Sequence, residues 1–235
     1  MPDIKALTFD TGGTILDWHA GISTKLAEIG ARRGIDADWA AITNTYRRRS
    51  LAKMTGGAAD FSPDFNIDDV HREQIELVAR EHGLAAFTAA DFDEVRRAWH
   101  ELACWPDVPG GLARMRSRYM VASLTILSFR LIVDTCKRAG VTWDAVFSCE
   151  AIGVYKMRPQ AYLQAAAWLQ LEPSECMMVA AHPIDLMAAQ KVGFRAAYVR
   201  RPAEWGAHVA APQAPDDFRP DLDVGSFEEL ADALT

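Results

Sequence analysis

The chain has no CxxC pair and no cysteine–histidine spacing of a metal site; its four cysteines, Cys104, Cys136, Cys149 and Cys176, are scattered. Structural zinc and a disulfide framework are therefore not expected, and the thiols should be reduced and mostly buried. No apolar run approaches the ~20 residues of a membrane span. The opening stretch MPDIKALTFD has a short apolar run interrupted by Asp, so no signal peptide is expected and a cytoplasmic protein is. Excess positive charge is missing too. A formal net charge of -7 argues against a general binder of nucleic acid or membrane surfaces. Repeats and low-complexity tracts are absent. What is present, 50% hydrophobic and 24% charged residues in a chain of 235, is the profile of a globular protein. That length suits one large domain, or a domain carrying a sizeable insertion.

Strand-like apolar segments recur at 4–9, 119–127, 144–148, 176–181 and 195–199. Their runs are continuous rather than alternating, as strands buried on both faces should be. Helical patterns lie between the later ones: 128–140 stops on Ala-Gly, and 159–171 and 182–193 carry proline in their first turns. Strand and helix in alternation give an α/β fold with a doubly wound, mostly parallel sheet. Residues 19 to about 100 read instead as amphipathic helices around a turn-rich loop at 55–65. The domain reading is a core of 1–16 plus 101–235, with a helical cap inserted at 17–100. The proline- and alanine-rich tail after Arg200 reads as irregular, closed by a short helix in SFEELADALT. The acidic runs DDV and DFDE read as helix starts.

The chain opens with IKALTFDTGGTILDW, in which one carboxylate, Asp10, ends an apolar strand. Glycines after it let the backbone turn and approach a ligand closely. A phosphate cradle would be repelled by an unneutralised Asp, so the carboxylate itself is the candidate reacting group. In a parallel sheet, ligands bind beyond the carboxyl ends of the strands near the switch point. Thr125 and Ser128, Lys156, and His182 with Asp185 end other strands and should gather there.

With these residues in place, the chain resembles the haloacid dehalogenase superfamily, and within it the type II 2-haloacid dehalogenases. FDTGGTILDW, YRRRSLAKM, VYKMRPQAY and MMVAAHPID carry the resemblance across nearly the whole chain. FDTxGTxxDW together with AAH looks most like the branch that includes some fluoroacetate-active enzymes. The resemblance implies a Rossmann-like core with a cap, a short 2-haloacid as small-molecule substrate, and neither metal nor cofactor. It makes Asp10 the nucleophile of an aspartyl-ester mechanism. Thr14 would position Asp10, Thr125 would supply the second-motif hydroxyl, Lys156 would offset the carboxylates, and Asp185 would orient or activate water. Arg47 and Tyr162 match substrate- or halide-contacting positions, with His182, Trp18 and Ile126 as further pocket candidates. A homodimer is common in the family, and no segment here demonstrates one.

Several positions depart from the family pattern. Superfamily phosphatases carry a general acid where Gly12 stands and a metal-holding acid where Ala181 stands; losing both argues against phosphoryl transfer. Displacing halide needs neither group. Gly12 also replaces the aromatic usual in dehalogenases, leaving one wall of the pocket unaccounted for. Ile126 replaces an Asn, and Ala180 and His182 stand where Ser and Asn are frequent. The alternatives are a phosphatase of the same superfamily, or a ligand-binding protein that keeps the fold without turnover. Bland readings also stand: His182 could cap the helix that follows, Tyr162 could be core packing, and only one or two of Arg47, Arg48 and Arg49 can face the cleft.

Overall fold

A computed structural model describes residues 3–55, 66–210 and 212–234. The turn-rich loop expected at 55–65 lies outside the described residues, apart from Thr55, which ends a helix. Among the described residues six strands build one sheet: β1 (Ala6–Phe9), β2 (Met120–Thr125), β3 (Ala145–Ser148), β4 (Cys176–Ala180), β5 (Arg195–Val199) and β6 (Leu222–Val224). All pair in parallel in the order β3-β2-β1-β4-β5-β6. The chain steps outward from β1 to β3, then returns to lay β4 on the other side of β1. That reversal is the switch point, and the crevice beyond β1 and β4 is where such sheets bind ligands.

Among the described residues, the first four of the five α-helices between β1 and β2 are α1 (Trp18–Arg33), α2 (Trp39–Thr55), α3 (Ile67–Glu81) and α4 (Ala89–Ala98). Local chemistry sets their ends. Asp17 accepts the Ala20 amide to start α1, which stops at Gly34 in the left-handed region. Thr88 and Asp91 form a capping box on α4, and Asp68 and Asp69 lie in the first turn of α3. The acidic runs thus sit at helix starts. The sheet is completed with α5 (Val108–Arg116), α6 (Phe129–Ala139), α7 (Cys149–Ile152), α8 (Pro159–Leu169), α9 (Pro183–Lys191) and α10 (Phe227–Ala233).

Two elements escape the sequence patterns. Helix α5 contains Gly110 and Gly111, poor helix formers. Gly111 is nevertheless required, because a Cβ there would meet the Phe227 backbone at 2.7 Å, so α5 and α10 pack through it. Strand β6 lies in the tail read as irregular. Its three residues, Leu222, Asp223 and Val224, are too few for their alternation to stand out; it forms because the edge of β5 offers a ladder.

The strands bury both faces. On one face, Leu7, Phe9, Val121 and Val179 join a cluster that runs unbroken into Ile22, Leu26, Tyr46 and Trp99 of the inserted helices. On the other, Ala6, Ala122 and Ala196 meet Ala161, Ala165 and Ala189, small residues that let α8 and α9 sit close to the sheet. The cap is thereby fixed over the switch point by the same hydrophobic core that holds the sheet. All four thiols are free, Cys149 and Cys176 buried and the other two half-buried. Among the described residues no helix is long and apolar enough to cross a membrane.

Candidate active site

Strand β1 delivers Asp10 to the switch point, and the Asp10 amide still donates to the Val179 carbonyl at 3.0 Å. The backbone is therefore in register where the side chain leaves the sheet. Thr14 Oγ donates to Asp10 Oδ2 at 2.7 Å and accepts the Ala181 amide at 2.9 Å, tying the loop to the end of β4. Lys156 Nζ donates to Asp10 Oδ1 and, at 2.7 Å, to Asp185 Oδ2. Tyr162 Oη donates to Asp185 Oδ1 at 2.6 Å. Lys156 precedes Met157, a non-glycine residue at φ 73 whose amide donates to Tyr162 Oη at 3.2 Å. Backbone in this region is costly and persists where the surroundings enforce it. The same tyrosine thus holds the turn and the second carboxylate.

Asp10, Lys156 and Asp185 are 5%, 4% and 1% exposed, so their charges are almost wholly desolvated. Burial works against the ionised form of Asp10, yet the Lys156 charge and the His182 hydrogen bond hold it well below the usual carboxylate range. Burial likewise opposes the Lys156 charge, and Asp10 and Asp185 outweigh it, pushing the ammonium upward. Asp185 occupies the first turn of α9, where the helix dipole favours a negative charge. The result is an ionised, oriented carboxylate at the floor of the crevice.

His182 is the N-cap residue of α9, but its side chain makes no capping hydrogen bond. Its Nδ1 lies 3.2 Å from Asp10 Oδ2, and its Nε2 lies 3.0 and 3.1 Å from the two oxygens of Glu204. Burial alone would strip its proton; Glu204 and Asp10 instead hold the imidazolium, raising its pKa to about 10. Glu204 is 3% exposed and also accepts Trp18 Nε1 at 3.0 Å. Burial raises its carboxyl, and His182 more than reverses this.

Sequence patterns missed Glu204, which lies in the tail read as irregular. That segment is pinned by Arg201, whose Nε donates to the Thr14 carbonyl at 3.0 Å and whose Nη1 bridges both Asp107 oxygens at 2.9 Å. One signal was present. The second glycine of TGGT gives its space to Glu204: a Cβ on Gly13, at φ 97, would stand 2.1 Å from Glu204 Oε1. Gly13→Ala therefore combines overpacking with left-handed strain and should cost about 2–4 kcal/mol. A thermal melt reads this as a lowered Tm; an unchanged Tm would show that the close approach does not exist.

Of the three consecutive arginines, Arg47 is buried at 2% exposure, while Arg48 stacks on Trp205 and Arg49 pairs with Glu81. The Arg47 guanidinium lies between the rings of Trp18, at 5.4 Å, and Trp99, at 5.3 Å. Its Nε and Nη1 are buried without a hydrogen-bond partner. Its Nη2 would be 3.1 Å from a Cβ on Gly12. The wall thought to be missing at Gly12 is therefore filled by Arg47, and an aromatic there would displace the guanidinium.

Asp10, Arg47, Lys156, His182 and Ile126 line one cavity of about 380 Å³, with Leu51, Met157 and Trp205 among its apolar walls. Thr125 sits beneath this cluster rather than in it, hydrogen-bonded to Thr11 Oγ at 2.5 Å and to the Leu127 amide at 3.0 Å. Three further expected placements differ. Ser128 caps α6 by accepting the Leu131 amide at 3.1 Å and does not join the cluster. Tyr162 is fully buried and reaches the site through Asp185 and the Met157 amide. Trp18 stands behind Arg47 instead of lining the cavity. A magnesium ion fits poorly: Lys156 bridges the two carboxylates that would hold it, and Gly12 and Ala181 offer no side-chain oxygen. Among the described residues no group of three His, Cys, Asp or Glu is placed to hold a metal.

Fold and site together define a doubly wound α/β protein whose helical cap covers a buried aspartate–lysine cluster at the switch point. Residues 4–193 match the model of the haloacid dehalogenase-like hydrolases, and the chain belongs to that family. It is 25% identical to (S)-2-haloacid dehalogenase 1 of Pseudomonas sp. (strain CBS-3) over 221 residues, covering 91% of this chain and 92% of that one. The solved structure of the defluorinating L-2-haloacid dehalogenase Rha0230 is 35% identical with a TM-score of 0.86, covering 98% of this chain and 95% of that one. That of the L-2-haloacid dehalogenase PA0810 is 30% identical with a TM-score of 0.87, covering 98% of each chain. The resemblance read from the motifs and the family found by comparison agree.

Proposed function

We propose that the protein is a hydrolytic dehalogenase of short 2-haloacids that works through an ester on Asp10 and needs no metal. The observation that carries this is the ionised, desolvated Asp10 facing a cavity shared with Arg47, whose Nε and Nη1 have no partner. The guanidinium pairs with the substrate carboxylate or the departing halide. An Asp10 oxygen attacks C2, and the electron pair of the carbon–halogen bond leaves with the halide. Water then adds to the Asp10 carbonyl carbon, releasing one proton by way of Asp185; the acyl–oxygen bond breaks, and the departing alkoxide takes the second water proton. The 2-hydroxyacid departs and the carboxylate is restored. Lys156 and the His182 N–H stabilise the charge that moves through Asp10, while Asp185 holds Lys156 and accepts from the water. The relatives named as 2-haloacid dehalogenases support this reading.

The test is halide release, followed by ion chromatography, from chloro-, bromo- and fluoroacetate and both enantiomers of 2-chloropropionate. Release from at least one is expected, and silence across the panel overturns the substrate class. EDTA should leave the rate unchanged, because Lys156 already supplies the cation between the two carboxylates. Loss of turnover on chelation, restored by magnesium, contradicts the metal-free mechanism. Magnesium-dependent turnover of p-nitrophenyl phosphate would replace the reading with phosphoryl transfer.

A further inference from the structure

Glu204 takes no part in the chemistry described above, yet it is a carboxylate buried to 3% exposure beside the nucleophile's own hydrogen-bond donor. Its environment is built rather than incidental. Gly13 vacates the space it fills, Trp18 Nε1 donates to it, and Arg201 fastens its segment to the Thr14 carbonyl and to Asp107. On its far side, the His182 ring bridges Glu204 and Asp10, with Nε2 toward one carboxylate and Nδ1 toward the other. Which imidazole nitrogens carry protons is set by what each one faces. With a carboxylate at both ends, the ring keeps both protons.

We propose that Glu204 is a positioning residue that fixes His182 as a two-proton donor, so that Nδ1–H remains directed at Asp10 Oδ2 across the working pH range. Without it, the neutral ring could present a bare Nδ1 lone pair to the nucleophile and repel it. The ring's charged surroundings come from every side of the crevice. Asp10 ends β1, Glu204 follows β5, Lys156 and Asp185 lie across Asp10, and Arg47 of α2 acts on both Asp10 and Glu204. The two carboxylates touching the ring favour its charge, and Arg47 and Lys156 oppose it. The His182 proton therefore depends on Glu204 most when Asp10 is alkylated and its own charge is gone. Only this last consequence, and the kinetic arm of the test, rest on the dehalogenase reading.

The experiment follows the imidazole resonances by NMR against pH in the whole protein, with His182→Asn used to assign the signal among the six histidines. In the native protein His182 should lose its proton near 10. In Glu204→Gln the midpoint should fall by about one pH unit or more. Glu204→Asp, which keeps the charge, should recover most of that shift. The alkaline limb of kcat/KM for halide release should move with the NMR midpoint in each variant. A native midpoint at or below the ordinary value of about 6.5 overturns the proposal even if a variant fails to fold. So does a Glu204→Gln variant whose rate drops equally at every pH while its His182 midpoint stays fixed. Absence of halide release from any 2-haloacid removes the dehalogenase reading alone, since the NMR arm still decides the role of Glu204.

Discussion

Asp10→Asn should lower the rate of halide release by on the order of 10⁴-fold or more, the scale seen when a covalent catalyst loses its nucleophile. The carboxamide is close in shape to the carboxylate and still accepts from Thr14, so the fold should be kept. What it lacks is the charge and the second reactive oxygen. Lys156 retains Asp185 as a partner at 2.7 Å, so the ammonium is not stranded. Circular dichroism should accordingly be native, and substrate should still bind through Arg47. A variant that keeps a few per cent of the native rate would mean that water, not Asp10, attacks the halogen-bearing carbon.

The second large effect is Lys156→Met, which should damage both stability and rate. Lys156 is the shared counter-ion of two carboxylates that are 5% and 1% exposed. Removing one partner from a buried ion cluster costs about 3–5 kcal/mol, because the charges left behind are desolvated and uncompensated. For a chain of this size that corresponds to a Tm lower by about 6–20 °C. The rate should show a distinctive pH dependence. In the native protein the depressed pKa of Asp10 adds stability above its unfolded value of about 3.9, lost as pH falls through the folded value. Without Lys156 the burial of Asp10 is opposed by His182, the Arg47 charge and its other hydrogen bonds but has lost its largest counter-charge, so the pKa rises. The acidic limb of activity should move upward, with the residual rate growing as pH increases. A variant with native Tm and an unmoved acidic limb would deny that Lys156 holds Asp10 ionised.

Much of this architecture could be read from the chain because its causes are local. Continuous apolar strands, Pro in the first turns of α8 and α9, and Gly140 after α6 are signals carried within a few residues. A parallel sheet then brings strand ends together, which is why Asp10, Lys156, His182 and Asp185 meet although up to 175 residues separate them. Helix geometry alone could not separate Arg47 from Arg48 and Arg49; the resemblance singled it out, and in the fold two indole rings and the absence of a side chain on Gly12 surround it.

Glu204 was not legible, for the opposite reason. RPAEWGAH has no period, no strand alternation and no motif spacing, and its contacts reach 22 residues back to His182 and 186 back to Trp18. Only the pair of glycines after Asp10 hinted that something approaches there, and the approaching group belongs to the chain itself. The same distance effect hid Trp205, whose ring packs edge-on to Trp18 at 5.0 Å and lines the cavity. Thr125 and Tyr162 fell between these cases. Their positions at a strand end and in a helix were readable, but their side chains turn to Thr11 and to Asp185 and act from beneath the floor.

In the proposed mechanism an oxygen of Asp10 becomes bonded to the substrate carbon. That step is tested most directly by a single turnover in heavy-oxygen water, with protein in excess over 2-haloacid, followed by mass spectrometry of the product and of the peptide containing Asp10. Heavy oxygen is expected in the Asp10 carboxylate and none in the first 2-hydroxyacid released, because water attacks the ester carbonyl and the hydroxyl comes from the protein. Heavy oxygen in the product, with Asp10 unlabelled, would contradict the mechanism.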